Sequence, residues 1–245
     1  MAAVNAALAR AMLRLFAVQG SYNYERMLGV GVGVAEEPLL RDLADGKYQP
    51  AVARGAHFFN SHPYLTGLAV GAAARAEHDG AAPDQIERLR EALCGPLGSL
   101  GDRLVWAGWL PFLSGLTMAA IALGAGWIAV GAFLIVYNIG HVALRWWALK
   151  AGWTYGTRVS VALHHPVLQK ATALLGPAMG FAVGAALPLT AAYLSGPFDS
   201  WARVALAIVA ALSFLALRWR GDLLNGLRLA LGISAVALII GLIWP

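Results

Sequence analysis

From Leu104 to Leu144 the chain runs for 41 residues without a formal charge. One membrane-crossing helix needs about 20 apolar residues, so this run predicts two, joined near Gly124-Ala125-Gly126. A second uncharged stretch, Ala171 to Phe198, covers 28 residues and predicts a third span with a short exit at Ser195-Gly196-Pro197. Only 14 residues separate Arg203 from Arg218, but Trp201 and Trp219 flank them and the arginines can reach the interfaces, which gives a fourth. The 17 residues Leu229 to Pro245 give a fifth if the helix begins near Asn225. The expected fold is all-α: a polytopic membrane protein of about five transmembrane helices, with amphipathic and re-entrant helical segments at its N-terminal end.

Composition agrees. The chain is 59% hydrophobic and 13% charged, against roughly 45–50% and about 25% in soluble domains, which excludes disorder and argues against an ordinary soluble globule. Residues 1–103 hold 11 of the 13 acids and 10 of the 18 Lys plus Arg, so residues 104–245 keep 2 acids and 8 bases. Two regions follow: a charged front, 1–103, and a spanning region, 104–245. Cys94 is the single cysteine and no Cys/His spacing resembles a zinc site; no metal and no cofactor is expected. The net charge of +5 is spread too thinly for a nucleic-acid surface. The connection 145–170 carries Arg145, Lys150, Arg158 and Lys170 with no acid, and 218–228 carries Arg218, Arg220 and Arg228 against Asp222. Basic connections stay cytoplasmic, so five spans put the N-terminus inside and the C-terminus outside.

In the front region Arg10 and Arg14 precede too short an apolar run for a signal peptide. If helical, Val4, Leu8, Met12 and Leu15 share a face, as in a helix lying on a membrane or partner, or in a plain packing helix. Pro83 to Leu93 predicts a short helix, with proline in its first turn and Asp84 able to pair with Arg88, stopped by Gly95-Pro96. Tyr64 to Ala74 is apolar for 11 residues, too short to span, and suits a re-entrant or buried segment.

Five clusters concentrate polar and aromatic chemistry. Gln19 to Met27 holds Asn23, Glu25 and Arg26 just before the glycines at 29, 31 and 33, which lack the spacing of a dinucleotide fingerprint. Phe58 to Tyr64 places Asn60, Ser61 and His62 beside aromatic rings; this is what a sugar site needs, and equally what a cap for the next helix needs. Gly95 to Arg103 has three glycines and a proline in seven residues, which demands a close approach or a sharp turn. Asp102 follows them, at the edge of the uncharged run; it sits at the interface, pairs with Arg103 or lines a polar cavity. Asn138 and His141 lie inside a span, where hydrogen bonds between helices are the expectation. His164-His165-Pro166 falls in a basic connection, with no carboxylate or cysteine nearby to suggest a metal site or a phosphohistidine.

Taken in order, QGSYNYERM at 19–27, FFNSHPYLTGLAVGAAARAE at 58–77, GPLGSLGDRLVW at 95–106, Tyr137-Asn138 and GWTYG at 152–156 resemble the IID membrane subunit of the mannose/fructose/sorbose-type sugar phosphotransferase system. The resemblance implies a subunit that forms the sugar-translocating unit with a IIC membrane protein while cytoplasmic IIB, supplied by IIA, phosphorylates the incoming sugar, a hexose. It implies no phosphoacceptor or catalytic residue in this chain, and an inner-membrane location. It transfers Asn23, Glu25 and Arg26 from the first motif, Asn60 and Pro63 from the second, and Gly95, Pro96, Gly101, Asp102 and Trp106 from the third. Asn60, His62, Asp102 and Trp106 become the expected substrate contacts, and Asn23, Glu25, Arg26, Pro63, Gly95, Pro96 and Gly101 the expected translocation core. Two departures stand out: Arg103, where family members often have a small residue or proline, and a shortened 195–203 connection. A different class also fits, a structural scaffold subunit or a relative that senses rather than transports.

Overall fold

The computed structural model describes residues 2–196, with Val204 and Ile208. The chain divides into two compact units, residues 1–190 and 191–245. The spans expected over 203–218 and 225–245 lie outside the described residues. Within them the chain is all-helical, with no strand and only isolated bridges joining Asn23 to Met27 and Met27 to Phe59.

Four short helices build the front: α1 Ala2–Leu15, α2 Gly29–Leu40, α3 Tyr48–Gly55 and α4 Thr66–His78. The apolar face of α1 is spent inside the chain. Leu8, Ala11, Met12 and Leu15 join the core that α2, α4 and the later helix Gly126–Tyr155 complete, so α1 is a packing helix. Arg14 on its other face donates to Glu37 at 2.6 Å. Of the two readings of the 64–74 segment, re-entrant or buried, the structure shows burial: from Thr66 through Ala74 every residue of α4 is buried, and the helix runs on to His78. Burial on all sides is why α4 shows no clean amphipathic period.

The second half is built on length. Helix α5, Pro83–Gly101, passes into a π-helical segment, Asp102–Trp109, and then into α6, Leu110–Ala122. Pro83 sits in the first turn after an extended Ala82, and Asp84 pairs with Arg88 at 2.6 Å, as expected. Gly95-Pro96 does not stop the helix. An interior proline removes one intrahelical hydrogen bond, and the helix runs on past it; Asp102 and Arg103 therefore lie within one helical stretch, Pro83–Ala122. Gly124 and Gly126, both at positive φ, make the expected turn into α7, Gly126–Tyr155. A 3-10 turn, Gly156–Arg158, and α8, Ser160–Leu163, lead to α9, Pro166–Leu194. Among the described residues three stretches are long and apolar enough to cross a membrane: Pro83–Ala122, Gly126–Arg158 and Ser160–Leu194. They match the first three expected spans, and Trp127, Ile128, Ile135 and Ile139 stand exposed along α7.

The 145–170 connection is much shorter than its charge pattern suggested. Ala148, Leu149, Ala151 and Gly152 of α7 pack on α4, and this contact carries the helix on to Tyr155. The fit depends on glycine: a Cβ on Gly71 would stand 2.4 Å from the Leu149 carbonyl oxygen, and one on Gly152 2.3 Å from the Leu68 carbonyl oxygen. Arg145, counted above among the connection's bases, is 4% exposed and belongs to the interior.

Candidate functional site

The first and second motifs meet through backbone. The Asn23 side-chain oxygen accepts from the amides of Glu25 and Arg26 at 3.1 and 2.8 Å, closing the 21–27 loop on itself. Met27, at φ 52°, ends that loop. Leu28 N–H then donates to the Phe59 carbonyl at 2.9 Å, and Phe59 N–H to that of Arg26 at 3.3 Å. Phe59 is wholly buried, so the loop fixes where the next residues emerge. Glu25 and Arg26 themselves are largely exposed and 4.0 Å apart, a loose local pair.

Those next residues form one wall of a cleft of about 570 Å³, with Phe58, Asn60, Ser61, His62 and Pro63 along it. The facing wall is a stripe of the long helical run: Gly95, Gly98, Ser99, Asp102 and Trp106, spaced so that they share a helix face. Asn60, His62, Asp102 and Trp106, four residues singled out from separate motifs, thus lie around one space, together with Pro63 and Gly95. Gly101 stands just behind: a Cβ there would be 2.2 Å from that of His62, so its glycine permits the close approach. Pro96 lies in the helix outside the lining, and Asn23, Glu25 and Arg26 are outside it too.

The next helix is capped by backbone and hydroxyl groups. The His62 carbonyl accepts from the amides of Leu65 and Thr66 and from the Thr66 hydroxyl, which shares a 2.8 Å hydrogen bond with Ser61. The His62 ring is left for the cleft. Its Nδ1 accepts from Tyr64 N–H at 3.1 Å, which places the proton on Nε2, and Nε2 is buried without a partner among the described residues. Burial, with Arg145 adding to it, lowers the His62 pKa to about 4, so the ring stays neutral at ordinary pH. Asp102 is exposed and makes no ion pair among the described residues; Arg103 turns away, its Nε 3.4 Å from the Ser99 carbonyl. Of the placements open to Asp102, the pair with Arg103 is not formed, and the residue lines the cleft.

Behind the cleft lies a cluster that sequence reasoning passed over. Tyr64 packs against the His62 and Trp106 rings at 5.0 and 5.9 Å, and its hydroxyl shares a 2.7 Å hydrogen bond with that of Tyr137. The guanidinium of Arg145 lies 4.6 Å from the Tyr64 ring centre. Its Nε donates to His141 Nε2 at 2.9 Å and another of its nitrogens to the Leu15 carbonyl. The signal was present as the i, i+4, i+8 spacing of 137, 141 and 145. Asn138, expected to bridge helices, instead bonds back to Leu134 of its own helix.

Chemically, the cleft is lined by an amide, an imidazole, a carboxylate and two aromatic rings, the complement of a small polyhydroxylated molecule. Among the described residues no three His, Cys, Asp or Glu side chains gather as a metal site would require.

Comparison with known proteins agrees with the sequence. Residues 4–202 match the model of the PTS system mannose/fructose/sorbose family IID component. The chain is 29% identical over 161 residues to the sorbose-specific EIID component of Lacticaseibacillus casei (63% of this chain, 57% of the relative). It is 29% identical over 168 residues to the mannose-specific EIID component of Escherichia coli K12 (65% and 59%). The matches thus span under two thirds of these relatives' length. Two solved structures share the fold, each at 20% identity: one titled only as a membrane protein (TM-score 0.74, 96% of this chain and 95% of that one), and one of the mannose transporter ManYZ with microcin E492 (TM-score 0.57, 98% and 96%). The match over residues 4–202 settles the family: the chain belongs to the mannose/fructose/sorbose family of PTS IID components.

Proposed function

We propose that this chain is the IID half of a sugar permease, forming the translocation unit with a IIC membrane subunit while cytoplasmic IIB, charged by IIA, phosphorylates the arriving hexose. The observation that carries the reading is the convergence of Asn60, His62, Asp102 and Trp106 on one cleft. Hydroxyl groups of a sugar would meet the Asn60 amide, the His62 Nε2–H and the Asp102 carboxylate, and Trp106 would cover its apolar face. Gly95 and Pro63 would shape the walls. Gly101 would hold His62 in place, and Asn23 would set Phe59 and hence Asn60; Glu25, Arg26 and Pro96 complete the translocation core. The motif-bearing front, 1–103, then serves the site, and the spanning region, 104–245, anchors it in the bacterial inner membrane with the N-terminus cytoplasmic.

The test is uptake of radiolabelled mannose, fructose and sorbose by the complex co-expressed with IIC. Asn60→Ala and Asp102→Ala are each expected to cut uptake at least tenfold while leaving the assembled complex intact. Normal uptake by assembled variants would overturn the substrate role and leave a scaffold. Orientation is tested separately with single cysteines at Ser160 and Ser195 on a Cys94→Ser background: Ser160 should label only from inside, Ser195 only from outside.

A further inference from the structure

We infer that Arg145 is a positioning residue for the cleft: from within the second span it fixes Tyr64, and through Tyr64 the His62 and Trp106 rings of the inner wall. The inference deepens the sugar-cleft reading and rests on it for the effect on uptake, though not for the geometry.

A charged side chain inside a span is held where its partners compensate it. Arg145 has no carboxylate partner among the described residues. It is held by a ring face at 4.6 Å, a second at 5.5 Å on Phe16, the lone pair of His141 and the Leu15 carbonyl. A carboxylate would fix the guanidinium through one charge-assisted, two-pronged contact. These contacts tie its position to the orientation of rings.

Tyr64 receives three of its contacts from a single stripe of α7. Its hydroxyl meets Tyr137, its ring stacks on His141 at 4.4 Å and 20°, and Arg145 lies over its face. On the cleft side the Tyr64 ring packs against His62 and Trp106, which lie 5.0 Å from each other. Tyr64 N–H also bonds His62 Nδ1 and so leaves Nε2 as the donor. One residue therefore links the arginine to both the placement and the tautomer of the imidazole. At its other end Arg145 satisfies a carbonyl in the last turn of α1, where backbone acceptors lack helical partners; that helix leads into the loop that pins Phe59. Both segments flanking the 57–65 wall are thus tied to one guanidinium.

The experiment uses the full chain co-expressed with IIC and compares Arg145→Gln and Arg145→Lys with wild type by two measurements. The first is the KM and maximal rate of uptake for mannose, fructose and sorbose. The second is the fluorescence, quenched by nearby indole, of bimane attached to a single cysteine at Ser99 on a Cys94→Ser background, about two helical turns from Trp106 on the same wall of the cleft. Expected for Arg145→Gln is a KM raised about tenfold or more, a maximal rate within threefold, and loss of quenching as Trp106 shifts. Arg145→Lys keeps the charge but not the planar stack and should fall between. Assembled Arg145→Gln with wild-type KM and quenching overturns the inference; so does a lower yield of complex whose remaining molecules have both unchanged. If Arg145→Gln does not assemble, Arg145→Lys decides by the same two readouts. Asn60→Ala and Asp102→Ala run alongside. If they leave KM unchanged while Arg145→Gln loses quenching, the sugar reading fails and the positioning role stands; if they raise KM and Arg145→Gln changes neither readout, the positioning role fails alone.

Discussion

In the front of the molecule, where α1 to α4 meet the first turns of α5, each buried charge faces its opposite. Arg90 donates to Glu36 at 2.9 Å and to the Gly55 carbonyl at 2.7 Å, and Arg54 meets Glu77 at 2.6 Å. Beyond residue 103 the one buried charge among the described residues, Arg145, meets rings, an imidazole and a carbonyl instead. The two arginines are hidden alike, 3% and 4% exposed. What differs is the job the surroundings suit: acid pairs between short helices hold the front together, and an unpaired cation on a membrane helix holds rings at the back of a cleft. The acid-rich composition of residues 1–103 therefore does not describe a soluble surface alone, because part of that charge is interior bracing.

The largest effect should come from breaking the paired side of this comparison. Arg90→Met would leave Glu36 buried without its partner, and losing one member of a buried pair costs about 3–5 kcal/mol. Arg90 also stacks over the buried Phe59 ring at 5.4 Å. We expect the thermal midpoint of the purified complex to drop sharply and the 57–65 segment to become protease-sensitive. An unchanged midpoint would mean that the pair does not brace the front.

Second in size is the seam between the regions. Gly152→Val would push α7 away from α4, because the added atoms meet backbone rather than a yielding side chain. Overpacking of this kind costs about 1–3 kcal/mol, at times more, and should appear as lost assembly with IIC, whereas Gly131→Val, with nothing within 4 Å of the added Cβ, should assemble normally.

This seam also marks what the sequence made legible. Spans could be counted from uncharged runs because lipid forbids stray charge, and the turn at Gly124 to Gly126 was visible for the same reason. Helix α4 could be read as a re-entrant or buried helical segment but not in its extent, since full burial erases the period that marks a helix's faces. Gly95-Pro96 misled because a stop in a short soluble helix is only a lost hydrogen bond in one of 40 residues. That misplaced stop hid the second wall: continued as a helix, 95, 98, 99, 102 and 106 fall on one face, and Ser99 joins the candidates. Arg145 was hidden by the assumption that basic residues beyond an uncharged run belong to the connection.

Titration should separate two buried groups of opposite behaviour. Burial raises the Glu36 pKa from 4.5 to about 7, although Arg90 opposes the rise. The folded state therefore holds a proton that the unfolded chain has released, and the stability this gives is complete below pH 4.5 and lost as pH rises through 7. His62 runs the other way: its pKa falls from 6.5 to about 4, so the folded state refuses a proton the unfolded chain accepts, and stability is lost as pH falls from 6.5 through 4. Between pH 4.5 and 6.5 the two oppose. Glu36→Gln should remove the decline toward pH 7, and His62→Gln the decline toward pH 4, in thermal melts of the purified protein across that range.

The smallest expected effects lie inside the first motif and sharpen the same contrast between bracing and contact. Asn23 accepts two backbone amides, and its side-chain nitrogen donates to the Ser21 carbonyl at 3.2 Å. Losing such a turn-closing side chain, like losing a helix cap, costs about 1 kcal/mol. Among the described residues the Glu25 and Arg26 side chains pair only with each other, in solvent, where a pair is worth about 0–1 kcal/mol. Asn23→Ala should therefore lower the melting point by a few degrees and reduce uptake through the displaced 57–65 wall. Glu25→Gln should leave the melt where it was. If Glu25→Gln nevertheless cuts uptake with the complex intact, that carboxylate contacts a partner subunit or the sugar directly, and the front of the molecule does more than brace the cleft.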